Sequence, residues 1–207
     1  MDYLHSIFPS AKFIYMVRDG RAAAYSYMTQ VKESMTFRKY RTYLSSWKSF
    51  NTKASNECKK LGEKYCLLVR YEDLVLHPKS SLQRVVEFLN VKWTDELLKH
   101  QEHIGNEISI SKTEWSSHQI IKPINSESLY SWVNGKIEID YKQMKFLEPI
   151  LNSFNYSFNI SFVKLDRADP IVLNNNQMIK NNQDFWDNKG RNLSQHIVYL
   201  EKKNQKR

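Results

Sequence analysis

Arg18 closes a run of five apolar residues, Phe13-Ile14-Tyr15-Met16-Val17, and Asp19-Gly20-Arg21 and three alanines follow it. A guanidinium in such a place can grip phosphate oxygens through paired N–H donors. The apolar run is continuous rather than alternating, the pattern of a strand covered on both faces in a parallel sheet. Gly20 permits a tight turn, and Arg21 to Met28 is built of helix-favouring residues whose alanines can pack close to a sheet. Strand, short turn and helix put Arg18 where the free N–H groups of a helix start favour an anion. The alternative for Arg18 is a surface ion pair with Asp19 or Glu72.

Composition points the same way. The 207 residues carry a formal net charge of +9, and the isoelectric point is near 9.4, which suits an anionic partner. Nucleic acid is not the expected one: there is no aromatic RNA-binding motif and no zinc-finger spacing, and the basic residues are scattered apart from Lys202-Lys203 and Lys206-Arg207. An apolar content of 41% supports one folded domain. No stretch approaches the roughly 20 apolar residues of a transmembrane helix, and the first residues lack a signal-peptide pattern. Sequons at Asn155, Asn159 and Asn192 hint at a secretory route. Cys58 and Cys66 are either two reduced thiols or a disulfide, the latter expected only in an oxidising compartment; two such ligands are too few for zinc.

The elements that must position these residues follow from periodicity. Tyr40, Tyr43, Leu44, Trp47, Phe50, Ala54, Cys58 and Leu61 recur at helical spacing, and Gly62 is the stop. Cys66 to Tyr71 is a second short strand, and a helix carrying Leu82, Val85, Val86 and Leu89 follows Pro78. Strand, helix, strand, helix is an α/β pattern with a parallel sheet. Thr94 caps a short helix through Leu98. Gly105 to Asn125 has no period and reads as an ordered loop of the length that tends to be functional. Ser126 caps Glu127 to Val133, and Tyr141 to Phe154 marks a last helix interrupted by Pro149. Beyond about Lys164 the chain is rich in Asn, Gln, Lys and Asp, so residues 1–163 are the expected domain and 164–207 a peripheral tail.

Three blocks in register, Phe8 to Arg21, Cys66 to Pro78 and Ser109 to Asn125, closely resemble the protein-tyrosine sulfotransferases, and the likeness runs over about residues 5–160. It implies a P-loop-like sulfotransferase fold, a parallel sheet flanked by helices, with 3′-phosphoadenosine-5′-phosphosulfate (PAPS) as donor, 3′,5′-ADP as product and no metal. It further implies acidic tyrosine-containing protein substrates, a homodimer, a lumenal Golgi location as a type II membrane protein, and a disulfide between Cys58 and Cys66. By the same likeness Arg18 and Ser26 hold the 3′-phosphate, the serine adding a hydroxyl eight residues along the helix. Tyr71 contacts the donor, and Ser116, Ser117, His118, Gln119, Ile120, Ile121, Lys122, Pro123, Ile124 and Asn125 form the loop over it. Ser116 has the catalytic part, donating to oxygens that gain charge in the transition state; Lys122 is a second donor. The bland alternatives are a helix serine for Ser26, a core aromatic for Tyr71, and solvated loop residues for Ser116 and Lys122.

The sequence departs from the family where an arginine falls on Gln30, another on Trp115, an aspartate on His118 and a lysine on Ser131, which bears on donor affinity. Lys32 could substitute for the charge lost at Gln30, though on a helix it points about 200° away. The family's phosphosulfate-cradling loop, its glutamate base, its lysine donor and its membrane anchor have no match here. The five glycines form no G-x-x-x-x-G-K loop. The expectation is therefore the C-terminal half of an enzyme, inactive alone, its anchor in the missing N-terminal portion. Other readings are an inactive nucleotide-binding or dimer-partner protein of this fold, or a sulfotransferase acting on glycans or small molecules; the Cys58/Cys66 pair and the block from Glu114 to Pro123 favour the tyrosine-protein branch.

Overall fold

A computed structural model describes residues 1–105, 107–111, 117–133, 140–158 and 167–191. In chain order the elements are α1 (Asp2–Ile7), β1 (Phe13–Val17), α2 (Gly20–Gln30), α3 (Phe37–Leu61), β2 (Cys66–Arg70), α4 (Tyr71–Leu76), α5 (Pro78–Leu89), α6 (His100–His103), α7 (Ser117–Ile120), α8 (Glu127–Tyr130), α9 (Tyr141–Met144), α10 (Glu148–Ser153) and α11 (Pro170–Asn181). Short 3-10 turns, Asp95–Leu98 and Lys145–Leu147, precede α6 and α10. Residues 183–191 are also helical. The strands pair in parallel, Phe13 opposite Cys66 through Val17 opposite Arg70.

The crossover from β1 to β2 runs through α2 and α3. Asp19 caps α2, its side chain accepting from the Arg21 N–H at 2.9 Å. Gly20 is required by close approach rather than by its backbone angles: a Cβ there would lie 2.6 Å from the Trp47 indole of α3. Gly62, at φ 74°, ends α3 in the left-handed region that favours glycine. The chain returns at once into β2, and the Cys58–Cys66 disulfide joins the end of α3 to the start of that strand, their Cα atoms 5.3 Å apart. Tyr15 and Val17 of β1 form the main core together with Met28, Tyr40 and Leu44 of α2 and α3 and with Leu147, Leu151 and Phe154 at and around α10.

Three expectations are corrected. β1 is not fully covered on both faces: Tyr15 and Val17 are buried under α2, α3 and α10, whereas on the other face Ile14 is 41% and Met16 51% exposed, although Val69 of β2, in register with Met16, is buried. β2 stops at Arg70, and Tyr71 is the first residue of α4, whose acidic first turn suits a helix start. The Asn-rich segment is not peripheral in its described part. Val172 is fully buried against Val75, Leu76, Leu129 and Ala168, and Ile179 and Trp186 are buried as well, so an apolar stripe lies among the asparagines.

Buried polar groups tie the carboxyl ends of both strands together. Arg21 donates to both Asp19 oxygens, from Nε at 3.0 Å and Nη2 at 2.6 Å, and reaches the carbonyls of Ser157 and Phe158. Burial alone would lower the Arg21 guanidinium's pKa, but its bonds and charge pairing with Asp19 outweigh that and raise it. The Glu72 carboxylate accepts from the Asp19 backbone N–H at 3.0 Å and from the Tyr156 hydroxyl at 2.5 Å. Burial pushes Glu72 above the usual carboxylate range despite those bonds, and burial with the nearby Glu72 charge pushes Tyr156 up.

Two outcomes are expected. Cys58 and Cys66 should resist thiol labelling after denaturation without reductant, and reduction should cost about 2–3 kcal/mol, the chain-entropy value for so short a loop; free labelling would refute the bond. Glu72→Ala should destabilise by about 1–3 kcal/mol, since it leaves the buried Asp19 N–H unpaired and the Tyr156 hydroxyl with only the longer bond to the Val17 carbonyl, while Glu72→Gln can still accept from Asp19 and donate to Tyr156. Because the folded pKa of Glu72 is raised, ionisation works against the fold. Denaturant titrations should thus show the parent losing stability relative to Glu72→Gln as pH rises above the ordinary glutamate value, and the opposite slope would contradict the assigned shift.

Candidate functional site

Tyr71, first in α4, stands at the carboxyl edge of the sheet and is half-buried. The guanidinium of Arg18 lies 4.8 Å from the centre of its ring. Arg18 Nη2 donates to the Ser128 carbonyl at 2.6 Å, and the Tyr71 hydroxyl shares a 2.7 Å hydrogen bond with the Ser128 hydroxyl. Neither carboxylate expected as a partner of Arg18 pairs with it: Asp19 is held by Arg21, and Glu72 is occupied by the Asp19 N–H and Tyr156. Arg18 Nε is buried with no hydrogen-bond partner among the described residues. An arginine stacked, aimed by one carbonyl and left with a free donor is prepared for an anion.

Beside this pair opens a cavity of about 440 Å³. Tyr71, Leu74 and Val75 of α4 and Leu82 of α5 form one wall; Gln119, Ile120, Lys122, Pro123, Ile124 and Asn125 form the other, with His100, Leu97, Glu127 and Ser128 at its ends. Most of its surface is apolar, and the polar groups are few, the usual make-up of a small-molecule site. Lys122 is 7% exposed, and its Nζ pairs with Glu127 Oε2 at 3.1 Å. The Lys122 charge is thus compensated, whereas Arg18, which does not line the cavity but touches Tyr71 and Ser128 of its lining, has no carboxylate partner among the described residues.

Of the residues expected at the site, Gln119, Ile120, Lys122, Pro123, Ile124, Asn125 and Tyr71 line this one cavity. Ser117 and His118 lie in α7 and do not line it, and Ile121 is buried behind the wall at 1% exposure. Ser26 lies half-buried in the second half of α2, its hydroxyl without a hydrogen bond to any described residue. Ser116 and Trp115 fall outside the described residues, as do the sequons at Asn159 and Asn192. Gln30 and Ser131 are exposed.

Three contributors have no local sequence signal. Ser128 orients both Arg18 and Tyr71. His100 Nε2 lies 3.0 Å from the Ile120 carbonyl, which fixes it as the donor, and burial holds the imidazole pKa below its usual value. Asn175 and Asn176 of α11 bond to the main chain of the loop at Ile124 and Ser126. Ser126 starts α8 but does not cap it; the Asn125 side chain accepts from the Glu127 N–H instead, at 3.1 Å. A nucleotide fits these residues in kind: an unpartnered buried guanidinium N–H for phosphate beside an aromatic, largely apolar cavity.

Residues 1–95 match the family described as the sulfotransferase family. The chain is 39% identical over 185 residues to protein-tyrosine sulfotransferase 1 of Danio rerio, covering 87% of this chain and 52% of that protein. It is 34% identical over 187 residues to protein-tyrosine sulfotransferase A of Caenorhabditis elegans, with 89% and 49% covered. The chain thus spans about half the length of these curated relatives. Among solved structures, a sulfotransferase domain from the curacin biosynthetic pathway superposes with a TM-score of 0.53 at 21% identity, over 72% of this chain and 54% of that one. That likeness carries the fold, and the blocks around Arg18 and Tyr71 lie inside the matched stretch. Residues 1–95 are thus similar to the sulfotransferase family, and most of the chain is similar to about half the length of protein-tyrosine sulfotransferases.

Proposed function

We propose that this chain forms the nucleotide-holding part of a site that transfers a sulfuryl group from PAPS to tyrosine hydroxyls in acidic segments of secreted or membrane proteins. The observation that carries the reading is Arg18: stacked on Tyr71, aimed by Ser128, free of Asp19 and Glu72, and with a buried donor unspent. The family supports a sulfate donor of the PAPS kind. When bound, PAPS supplies a sulfuryl group that leaves the 5′-phosphate oxygen as the tyrosine oxygen bonds to sulfur, with 3′,5′-ADP as product.

In this reading Arg18 grips the 3′-phosphate and Ser26 adds a hydroxyl. Tyr71 and the wall from Ile120 to Asn125 hold the nucleoside and keep water from it. Ser116 donates to oxygens that gain charge as the bond to sulfur breaks. A tyrosine hydroxyl, with a pKa near 10, needs a positioned base. No residue of this sequence matches the family's base or its phosphosulfate cradle, so turnover calls for a further segment of the kind the longer relatives carry. The open face at Ile14 and Met16 is where such a segment would pack. A lumenal Golgi setting, with the anchor in that segment, accords with the Cys58–Cys66 disulfide and with the exposed sequon residue Asn155. Pairing as a homodimer belongs to the same proposal.

Calorimetry with 3′,5′-ADP tests the phosphate grip. Arg18→Ala should weaken binding by about 2 kcal/mol or more, and Arg18→Lys should restore it only in part, since an ammonium cannot give paired donors. Equal affinity in parent and variant would move the site elsewhere. For catalysis, the 207-residue chain should not transfer labelled sulfate from PAPS to an acidic tyrosine peptide. Fusion to the N-terminal segment of a relative should restore transfer. In the fusion, Ser116→Ala should lower kcat roughly 10²-fold with little change in donor affinity. Turnover by the chain alone would sink the part-site reading, and an unaffected variant the role of Ser116.

A further inference from the structure

The loop that walls the cavity is held from outside by a helix whose composition alone reads as solvent-facing. Asn175 Nδ2 donates to the Ile124 carbonyl at 2.9 Å. The Ser126 backbone N–H donates to Asn176 Oδ1 at 3.0 Å, and Asn176 Nδ2 donates to Ser126 Oγ at 2.9 Å, so one amide satisfies both polar groups of a residue that is 4% exposed. Ile124 and its neighbours Pro123 and Asn125 line the cavity. The three bonds come from two consecutive residues of α11 and act on the loop just where it turns into α8, two on its main chain and one on the Ser126 hydroxyl.

Packing and hydrogen bonding act together in this contact. Ile124 packs on the apolar cluster that includes Val172 of α11 and Leu129 of α8. A second cavity of about 260 Å³, lined by Asn125, Ser126, Glu127, Asn176, Ile179, Lys180 and Gln183, lies beside the bonds to Ser126. Next to that space the Asn176 amide, rather than close packing, holds the loop at Ser126. The helix itself is firmly seated: Val172 is fully buried, the Asp169 N–H bonds to the Leu76 carbonyl at 2.8 Å, and the Asp169 carboxylate meets His77 Nδ1 at 3.1 Å. α4, which carries Tyr71 on the opposite wall, ends at Leu76. α11 is therefore fixed to one wall of the cavity and hydrogen-bonded to the other, and it sets the gap between them.

We propose that Asn175 and Asn176 are positioning residues that hold the loop at the spacing a nucleotide needs, so that α11 tunes donor affinity without touching the donor. This rests on the nucleotide reading of the cavity. A wall held in place before binding spares the ordering that a loose loop would undergo on binding.

The donor and acceptor pattern gives a test that loss of bulk would not mimic. Asn176→Asp keeps an acceptor for the Ser126 N–H, and the Ser126 hydroxyl can turn to donate to the other oxygen. Asn175→Asp points an oxygen at the Ile124 carbonyl where a donor is needed. In the full chain, Asn175→Ala, Asn175→Asp and Asn176→Ala should each weaken 3′,5′-ADP binding severalfold, and the double alanine variant by roughly tenfold or more. Asn176→Asp should stay near the parent. Hydrogen exchange of amides 121–127 should quicken in the same three variants and not in Asn176→Asp, while exchange within α11 stays as in the parent. Should the double variant fail to fold, the contrast between the two aspartate variants carries the decision. Unchanged affinity and exchange in folded Asn175→Asp, or equal effects of both aspartates, would overturn the proposal. If the parent itself binds no 3′,5′-ADP, the nucleotide reading falls, and the exchange contrast alone decides whether α11 holds the loop.

Discussion

The site depends on how two buried carboxylates are used. Asp19 follows Arg18 directly, and Glu72 reaches the Asp19 N–H from the end of the neighbouring strand. Either could have neutralised Arg18. Instead Asp19 is taken by a two-point contact with Arg21, and Glu72 serves as acceptor for a backbone N–H and a phenol. A buried ion pair is expensive to desolvate and survives only with good geometry and every donor satisfied, as Arg21 has through the carbonyls of Ser157 and Phe158. The same knot sets the turn after β1, joins it to β2 through Glu72, and draws in the chain after α10 through Tyr156. Its functional effect is by exclusion: with both acids occupied, Arg18 keeps a donor for something else.

Much of this was legible in the sequence because it is local. The apolar run ending at Arg18, the helical spacing from Tyr40 to Leu61 with Gly62 as stop, and the strand beginning at Cys66 are all set by short-range pattern, and each stands where the pattern puts it. What the sequence hid is tertiary. Nothing near Asn175 marks it as the partner of Ile124, and nothing near His100 marks it as the donor to Ile120. Asparagine-rich composition is read as solvent-facing, yet an asparagine amide is also the side chain best able to copy a peptide group, and α11 uses it so. The sequence puts Tyr71 at a strand end; it begins a helix, from which its ring lines the cavity and meets Arg18 and Ser128.

The outer face of β1 is the point where pattern and packing disagree. A continuous apolar run encodes burial on both sides, and Ile14 and Met16 are half-exposed. Propensity is not at fault, since the strand forms and its inner residues are fully used. The discrepancy is one of cover: on the face of Ile14 and Met16 the described residues bury Val69 of β2 but leave the β1 side chains half-open, and the sulfotransferase domain that superposes on this chain is matched over only 54% of its own length.

The cavity and Arg18 together impose an orientation on whatever binds. Arg18 is outside the lining but touches Tyr71 and Ser128, which are part of it, and no described carboxylate pairs with it. Within the cavity Lys122 is paired with Glu127 and the remaining surface is largely apolar. A ligand charged throughout would desolvate its anionic groups against Leu74, Val75 and Ile124. A molecule with a flat, weakly polar body in the cavity and a phosphate on the Arg18 side of Tyr71 avoids that cost in one direction only. Had Lys122 been free, a second cation would compete for the phosphate and the direction would be lost; the Lys122–Glu127 pair thereby contributes to selectivity.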